Sequence, residues 1–340
     1  MKLDYEVLPL HPKHRFAIAR GGHEKDHAVI VRLTDQDGMA GWGEADPVPY
    51  YGETPETVCA ALEAYRRAIE SAASPFDLQE IEAACERDLR RHASARAAVT
   101  AALYDLIGKR LEVPVYKLLG LDPSRAPLTS YTIGIDEPDI VRRKVREAAE
   151  YPILKIKVGT DWDEELLDIV REEAPDVRIR VDANTAWHPR LAVRRILQLE
   201  KFDLEFVEQP VAAHDIEGLH FVRAHSPLPI LADESCLNAN DIPRLAGAVD
   251  GINIKMAKCG GPAEALRMIH TAKAHNLQVM LGCMLETSLG IAAAAQLAPL
   301  VDYADLDGAA LLAEDPFEGL SIAHGRVQLS TEPGLGVTRR

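Results

Sequence analysis

At 340 residues the chain has room for one large domain and a smaller companion, and its 47% apolar and 27% charged residues lie in the ordinary globular range. A formal charge of −15 disfavours nucleic acid or an anionic membrane as partner, because the averaged field of such a surface repels both. No apolar run approaches the roughly 20 residues that span a bilayer, and the start, MKLDYEVLPLHPKHRF, lacks a secretory signal's apolar stretch and cleavage site, so a cytoplasmic home is expected.

The first elements read as two or three strands followed by helices. HAVIVRLTDQDGMAGWGEA alternates apolar residues around a DG turn, as a hairpin does. Apolar residues then recur at three and four spacing from Thr54 to about Glu70, from Leu78 to Leu89 and from Ala93 to Leu111. From about residue 127 the pattern changes to short runs rich in Val and Ile, each followed by an amphipathic stretch, the βαβ signature. Strands are expected near Ser130–Ile133, Leu154–Lys157, Arg178–Val181, Leu204–Val207, Ile230–Leu231, Gly251–Ile254, Gln278–Leu281 and Tyr303–Leu306. Their starts repeat every 21 to 27 residues, and eight such units close a (β/α)₈ barrel. A doubly wound open sheet is the competing architecture, but no GxGxxG or P-loop opens a helix. The five cysteines, Cys59, Cys85, Cys236, Cys259 and Cys283, are scattered without a CxxC pair and read as reduced thiols.

In such a barrel the functional groups project from the carboxyl ends of strands. Three carboxylates stand there: Asp182 in VDAN, Glu208 in VEQP and Asp233 in ADES, spaced by 26 and 25 residues, one βα unit each. Converging anions cannot share a dry site unpaired, and a hard cation resolves the conflict; all-oxygen ligation suits Mg²⁺ better than zinc. The plainer alternative makes each carboxylate a helix N-cap. Lys155 and Lys157 in LKIKVG lie two apart and so face the same way, into the barrel. Lys255, in NIKMAKCGG, ends a run four strands further round, on the opposite wall. A lysine acts as a base near neutral pH only if its pKa is lowered, which neighbouring cations or burial can do. The plainer alternative has these lysines reaching the rim to pair with acids such as Glu234. A substrate carboxylate on the metal would become an electron sink, so that one lysine could take the adjacent proton. If the opposite lysine returns a proton to the other face the carbon inverts; if a β-leaving group departs, the result is elimination.

These residues resemble the enolase superfamily, in its muconate-lactonizing subgroup. The likeness covers nearly the whole chain: ARAAVTAALYDLIGKRLEVPVYKLLG, then KIK, VDAN, EQP, ADES and IKMAKCGG in order. It implies an α+β capping domain over residues 1–125, a (β/α)₈-type barrel over 126–317 and a tail, 318–340, returning to the cap. It also implies one Mg²⁺ on Asp182, Glu208 and Asp233, Lys157 and Lys255 as the acid/base pair, and Lys155 assisting by stabilising the enolate. A His–Asp base, as in the mandelate racemase subgroup, is disfavoured because Lys255 occupies the second-base position. Within the subgroup the chain is similar to the dipeptide epimerases, which implies 1,1-proton transfer at the α-carbon of a dipeptide's C-terminal residue, as in L-Ala-D/L-Glu. Asp305-Leu306-Asp307 matches that family's DxD for the α-ammonium, and GCMLETSLG its seventh-strand segment. Thr132 stands where these epimerases place a threonine near the substrate, and Arg20 is the nearest match to an arginine expected to hold the glutamate side chain. The loop Gly21-Gly22 with His23-Glu24-Lys25-Asp26 departs from the expected pattern. Side-chain choice is expected from two cap loops, near Arg20 to His23 and Val48 to Thr54. The competing activities are o-succinylbenzoate synthase, N-succinylamino acid racemase and muconate cycloisomerase, whose substrates carry no α-ammonium for Asp305 and Asp307. Barrels of this kind often assemble, so a homo-oligomer is possible.

Overall fold

The computed structural model describes residues 1–23 and 25–340; Glu24, in the first of the two cap loops, lies outside the described residues. The chain opens with β1 (Lys2–Leu10), a short hairpin β2 (Phe16–Ile18) and β3 (Gly21–His23), then β4 (Asp26–Thr34) and β5 (Ala40–Ala45). The sheet order is β1-β4-β5, antiparallel throughout. The DG turn sits where expected: Asp35 Oδ1 accepts the N–H groups of Asp37 and Met39, and Gly38 takes φ +85°. The hairpin β2–β3 is the part the sequence pattern did not show, because three-residue strands carry too little alternation to register.

Three helices follow: α1 (Pro55–Ser71), α2 (Leu78–Asp88) and α3 (Ala93–Arg110). Thr54 caps α1 in a reciprocal box with Thr57, and Val58, Ala61, Leu62, Tyr65 and Ile69 form its buried stripe. Helix α3 is buried on nearly every side. One face meets β5 so closely that a Cβ at Gly43 or Gly41 would fall 2.0 Å and 2.1 Å from the carbonyl oxygens of Ala98 and Ala102. The other face meets the barrel, where Thr100 Oγ1 donates to the Gly260 carbonyl at 3.1 Å.

The barrel strands are β6 (Tyr131–Ile133), β7 (Ile153–Lys157), β8 (Arg178–Asp182), β9 (Leu204–Glu208), β10 (Ile230–Ala232), β11 (Gly251–Lys255), β12 (Gln278–Gly282) and β13 (Tyr303–Asp305). They pair in parallel and in sequence order from β6 to β13, and a bridge from Thr129 to Ala304 joins the two ends. Two units are shorter than the periodicity suggests: the fifth carries the short turns Ala239–Asp241 and Ile242–Leu245, and the eighth the single turn Gly308–Leu311. Inside the barrel floor, Arg180 is 2% exposed, donates to Glu205 and to the Ala304 carbonyl, and stacks against Phe206 and Tyr303. That plug leaves only the opposite, carboxyl-end mouth for a site.

After the barrel the chain contacts both barrel and cap. The hairpin Ser321–Ala323 with Arg326–Gln328 docks on residues preceding β6, where Thr129 N donates to Gly325 O at 2.7 Å. The last segment reaches the cap: Leu335 N donates to Asp105 Oδ1 at 2.8 Å, and Gly334 exchanges backbone bonds with Val113 and Val115. No helix among the described residues is long and apolar enough to cross a membrane.

Candidate active site

Strand register sets the site's lower tier. Lys157 pairs with Asp182 across β7 and β8, and Asp182 pairs with Glu208 across β8 and β9, so the three side chains leave the sheet at one level. Asp233 follows β10 directly. Asp182, Glu208 and Asp233 are wholly buried, and one oxygen from each lies within 4.8 Å of the others. None is a helix N-cap; His188 and Asp215 take those places in the units that carry Asp182 and Glu208.

The lysines face these acids and do not reach the rim. Lys155 Nζ lies 2.7 Å from Asp305 Oδ2, 2.7 Å from Glu208 Oε2 and 3.2 Å from Asp182 Oδ2. Lys157 Nζ donates to Asp182 Oδ2 at 2.7 Å, and Lys255 Nζ to Asp233 Oδ2 at 2.9 Å. Lys157 stands on β7 and Lys255 on β11, four strands apart in a ring of eight. A ligand between them is therefore approached from both sides.

The electrostatics follow from that packing. Burial pushes Asp182 upward, but the Lys157 and Lys155 ammoniums outweigh it and hold the carboxyl down at about 2. Asp233 is likewise held well below the carboxylate range despite its burial, by Lys255 and Lys258. Glu208 goes the other way, to about 7, because burial and the Asp182 charge dominate. For Lys155 and Lys255 burial favours the neutral amine, yet the facing carboxylates, chiefly Asp305 and Asp233 respectively, raise both. Sequence reasoning expects neighbouring cations to lower such lysines; in the structure the nearer anions prevail.

The remaining expected residues line the same space. Asp305 is fully engaged, with Oδ1 accepting Ser130 Oγ and Oδ2 accepting Lys155. Asp307 stands at the N-cap position of Gly308–Leu311 without capping it; its Oδ2 instead accepts the Thr132 N–H at 2.6 Å. Its Oδ1 meets the Cys283 thiol at 3.9 Å. Thr132 and Asp307 thus form one unit at the junction of β6 and β13. Arg20, at the hairpin β2–β3, reaches across to the barrel and pairs with Glu234 at 2.6 Å. Glu234 is therefore the arginine's partner rather than a lysine's.

Cap and barrel mouth together enclose a cavity of about 950 Å³, with Phe16, Ile18 and Arg20 on one side and Lys157, Lys255 and Asp307 on the other. Three contributors escape sequence reasoning. Lys258 places its ammonium on Asp233 Oδ1 at 2.5 Å and on the carbonyls of Asp233, Cys236 and Asn253. Asn253 Nδ2 donates to Glu208 Oε1 at 2.7 Å. Ser130 holds Asp305. A charged residue three places after Lys255 in a buried run is a visible signal for Lys258; Asn253 and Ser130 carry none.

Three converging carboxylates with no nitrogen or sulfur donor are the ligand chemistry of a hard divalent cation. Glu208 Oε2 supports that fit: it is buried and, although close to Lys155, lies outside hydrogen-bonding geometry with every donor among the described residues.

Comparison with known proteins agrees with this architecture. The mandelate racemase / muconate lactonizing enzyme N-terminal domain model matches residues 4–120, and the enolase C-terminal domain-like model matches residues 140–340. The chain is 40% identical over 341 residues to an L-Ala-D/L-Glu epimerase of Bacteroides thetaiotaomicron, spanning 100% of this chain and 88% of that protein. It is 37% identical to a hydrophobic dipeptide epimerase of Enterococcus faecalis, spanning 96% of each. A solved dipeptide epimerase from Enterococcus faecalis, complexed with Mg and the dipeptide L-Leu-L-Tyr, matches with a TM-score of 0.93 at 35% identity over 99% of both chains.

Proposed function

The chain belongs to the mandelate racemase / muconate lactonizing enzyme family of the enolase superfamily, and from that premise we propose that it is a Mg²⁺-dependent dipeptide epimerase. The observation that carries the chemistry is the pair Lys157 and Lys255 on opposite walls, with three buried carboxylates between them. Asp182, Glu208 and Asp233 would hold the ion. Once bound, Mg²⁺ supplies charge that offsets the three carboxylates and makes the substrate's own carboxylate an electron sink.

The chain's residues do the rest. One of Lys157 and Lys255 removes the α-proton of the C-terminal residue, and the other delivers a proton to the opposite face. Lys155, bonded to Asp305, donates toward the carboxylate oxygens as charge develops on them. Asp307 offers Oδ1 to the α-ammonium, while Thr132 and Cys283 fix its orientation. Asp305 contributes through Lys155, since both its oxygens are already engaged. Arg20 lies at the side-chain end, where a guanidinium suits a glutamate carboxylate. The accompanying division is a cap over 1–125, a barrel over 126–317 and a tail over 318–340.

Incubation with Mg²⁺ and L-Ala-L-Glu, L-Ala-L-Leu and related dipeptides in D₂O tests the reading. One deuterium at the C-terminal α-carbon together with inversion is expected; a folded, Mg²⁺-loaded protein that exchanges no dipeptide contradicts it.

A further inference from the structure

Arg20 is held from one side only. Its Nη1 donates to Glu234 Oε1 at 2.6 Å and to the Asn184 carbonyl at 2.8 Å, with Thr185 Oγ1 at 3.5 Å. The ring of Tyr50 lies 4.1 Å from the guanidinium carbon, covering one face. Among the described residues nothing accepts a hydrogen bond from Nε or Nη2, and the side chain lines the cavity. Glu234 itself is 4% exposed, and its Oε1 also receives Asn184 Nδ2 at 3.3 Å. Asn184 in turn reaches Asp182 Oδ2 at 3.3 Å, so the anchor is continuous with the barrel's rigid strand ends.

We infer that Glu234 is a positioning residue for substrate selection: it pins Arg20 by one nitrogen so that the Nε and Nη2 edge faces the cavity as a two-pronged donor for a carboxylate side chain. The inference rests on the dipeptide-epimerase reading and deepens it. A fork of two parallel N–H groups matches a carboxylate and matches a carboxamide poorly. Arg20 sits in the turn of the β2–β3 hairpin, where Gly21 pairs with Ile18, so the fold fixes its Cα and leaves the long side chain to be oriented by its own contacts. Without Glu234 the long side chain would have to be ordered by the ligand itself, at a cost in affinity. The Tyr50 ring limits the tilt of the guanidinium but not its rotation in plane; the Glu234 bond sets that.

The test compares L-Ala-L-Glu with its near-isostere L-Ala-L-Gln in the Mg²⁺-loaded full-length protein, as wild type, Glu234→Gln, Arg20→Gln and the double variant. Steady-state epimerisation gives the ratio of kcat/KM between the two dipeptides, and calorimetry gives the two Kd values. The wild type should favour Glu. Glu234→Gln should lower the Glu-to-Gln ratio at least tenfold, through KM and Kd rather than kcat, and should lower it no further in the Arg20→Gln background. Reading a ratio removes any general loss of folded protein. An unchanged ratio in Glu234→Gln overturns the inference, and so does a raised one, which would mean that Glu234 merely offsets the arginine's charge. A fall that persists without Arg20 overturns it too. A wild type that epimerises neutral dipeptides but not L-Ala-L-Glu defeats the inference and leaves the epimerase reading standing; no exchange with any dipeptide defeats both.

Discussion

Lys157 and Asp182 face each other in the strand register and meet at 2.7 Å, and Lys255 at the end of β11 meets Asp233, just after β10, at 2.9 Å. Each ammonium therefore competes with a cation for its carboxylate. Lys157→Ala and Lys255→Ala should each lower kcat by roughly 10²- to 10⁴-fold, the usual scale of a proton-transfer group. Calorimetric Mg²⁺ affinity should be retained or tightened in both; weakened metal binding would show the lysines to be structural. Asp307 gives a pH signature. Burial, and then the neighbouring Asp305 charge, push it up to about 7, so it is protonated and neutral below that point and ionised above. Its attraction for an α-ammonium is thus gained as pH rises, and kcat/KM should climb through about pH 7. Asp307→Asn should flatten that rise, and a profile unaltered by the substitution would assign it elsewhere. The convergence of Asp182, Glu208 and Asp233 is legible in the sequence because strand ends repeat about every 25 residues. Asn253, which fixes Glu208 from β11, is not, because side-chain pairing across non-adjacent strands leaves no periodic trace.

At the level of elements, the eight barrel strands are readable from β-branched runs, and each proves to run within a residue or two of the expected span. The short hairpin carrying Arg20 and the short turns of the fifth and eighth units are not readable, since elements of three or four residues lack a period. Helix α3 shows a third case. Its small residues do not mark a weak helix; they mark one wedged between β5 and the barrel, where backbone contacts replace side chains. Gly43→Ala puts a methyl 2.0 Å from a carbonyl oxygen that cannot rotate away. It should cost about 1–3 kcal/mol or more in urea unfolding, as overpacking does. A variant as stable as the wild type would mean that α3 can shift on the sheet.

Over the whole molecule, cap and tail converge on Asp105 in α3. Its Oδ2 accepts Trp42 N and Lys109 Nζ, and its Oδ1 accepts Leu335 N from the chain's end. Asp105→Ala leaves the Trp42 and Leu335 N–H groups without their acceptor and Lys109 with the Ala40 carbonyl alone, each N–H costing about 1–3 kcal/mol. The thermal midpoint should fall by several degrees, and an unchanged midpoint would show that the tail contributes nothing to stability. The same stitching sets the cap over the barrel mouth, so that the hairpin bearing Arg20 and the strand ends bearing Lys157 and Lys255 enclose one cavity.

The opposition of those two lysines is most directly measured by isotope wash-in with single variants, following each epimer of the dipeptide separately in D₂O. If the amines approach from opposite faces, Lys157→Ala should retain α-deuteration of one epimer alone, and Lys255→Ala should retain it for the other alone, with inversion lost in both. Deuteration of the same epimer by both variants, or of both epimers by either, would contradict two opposed bases.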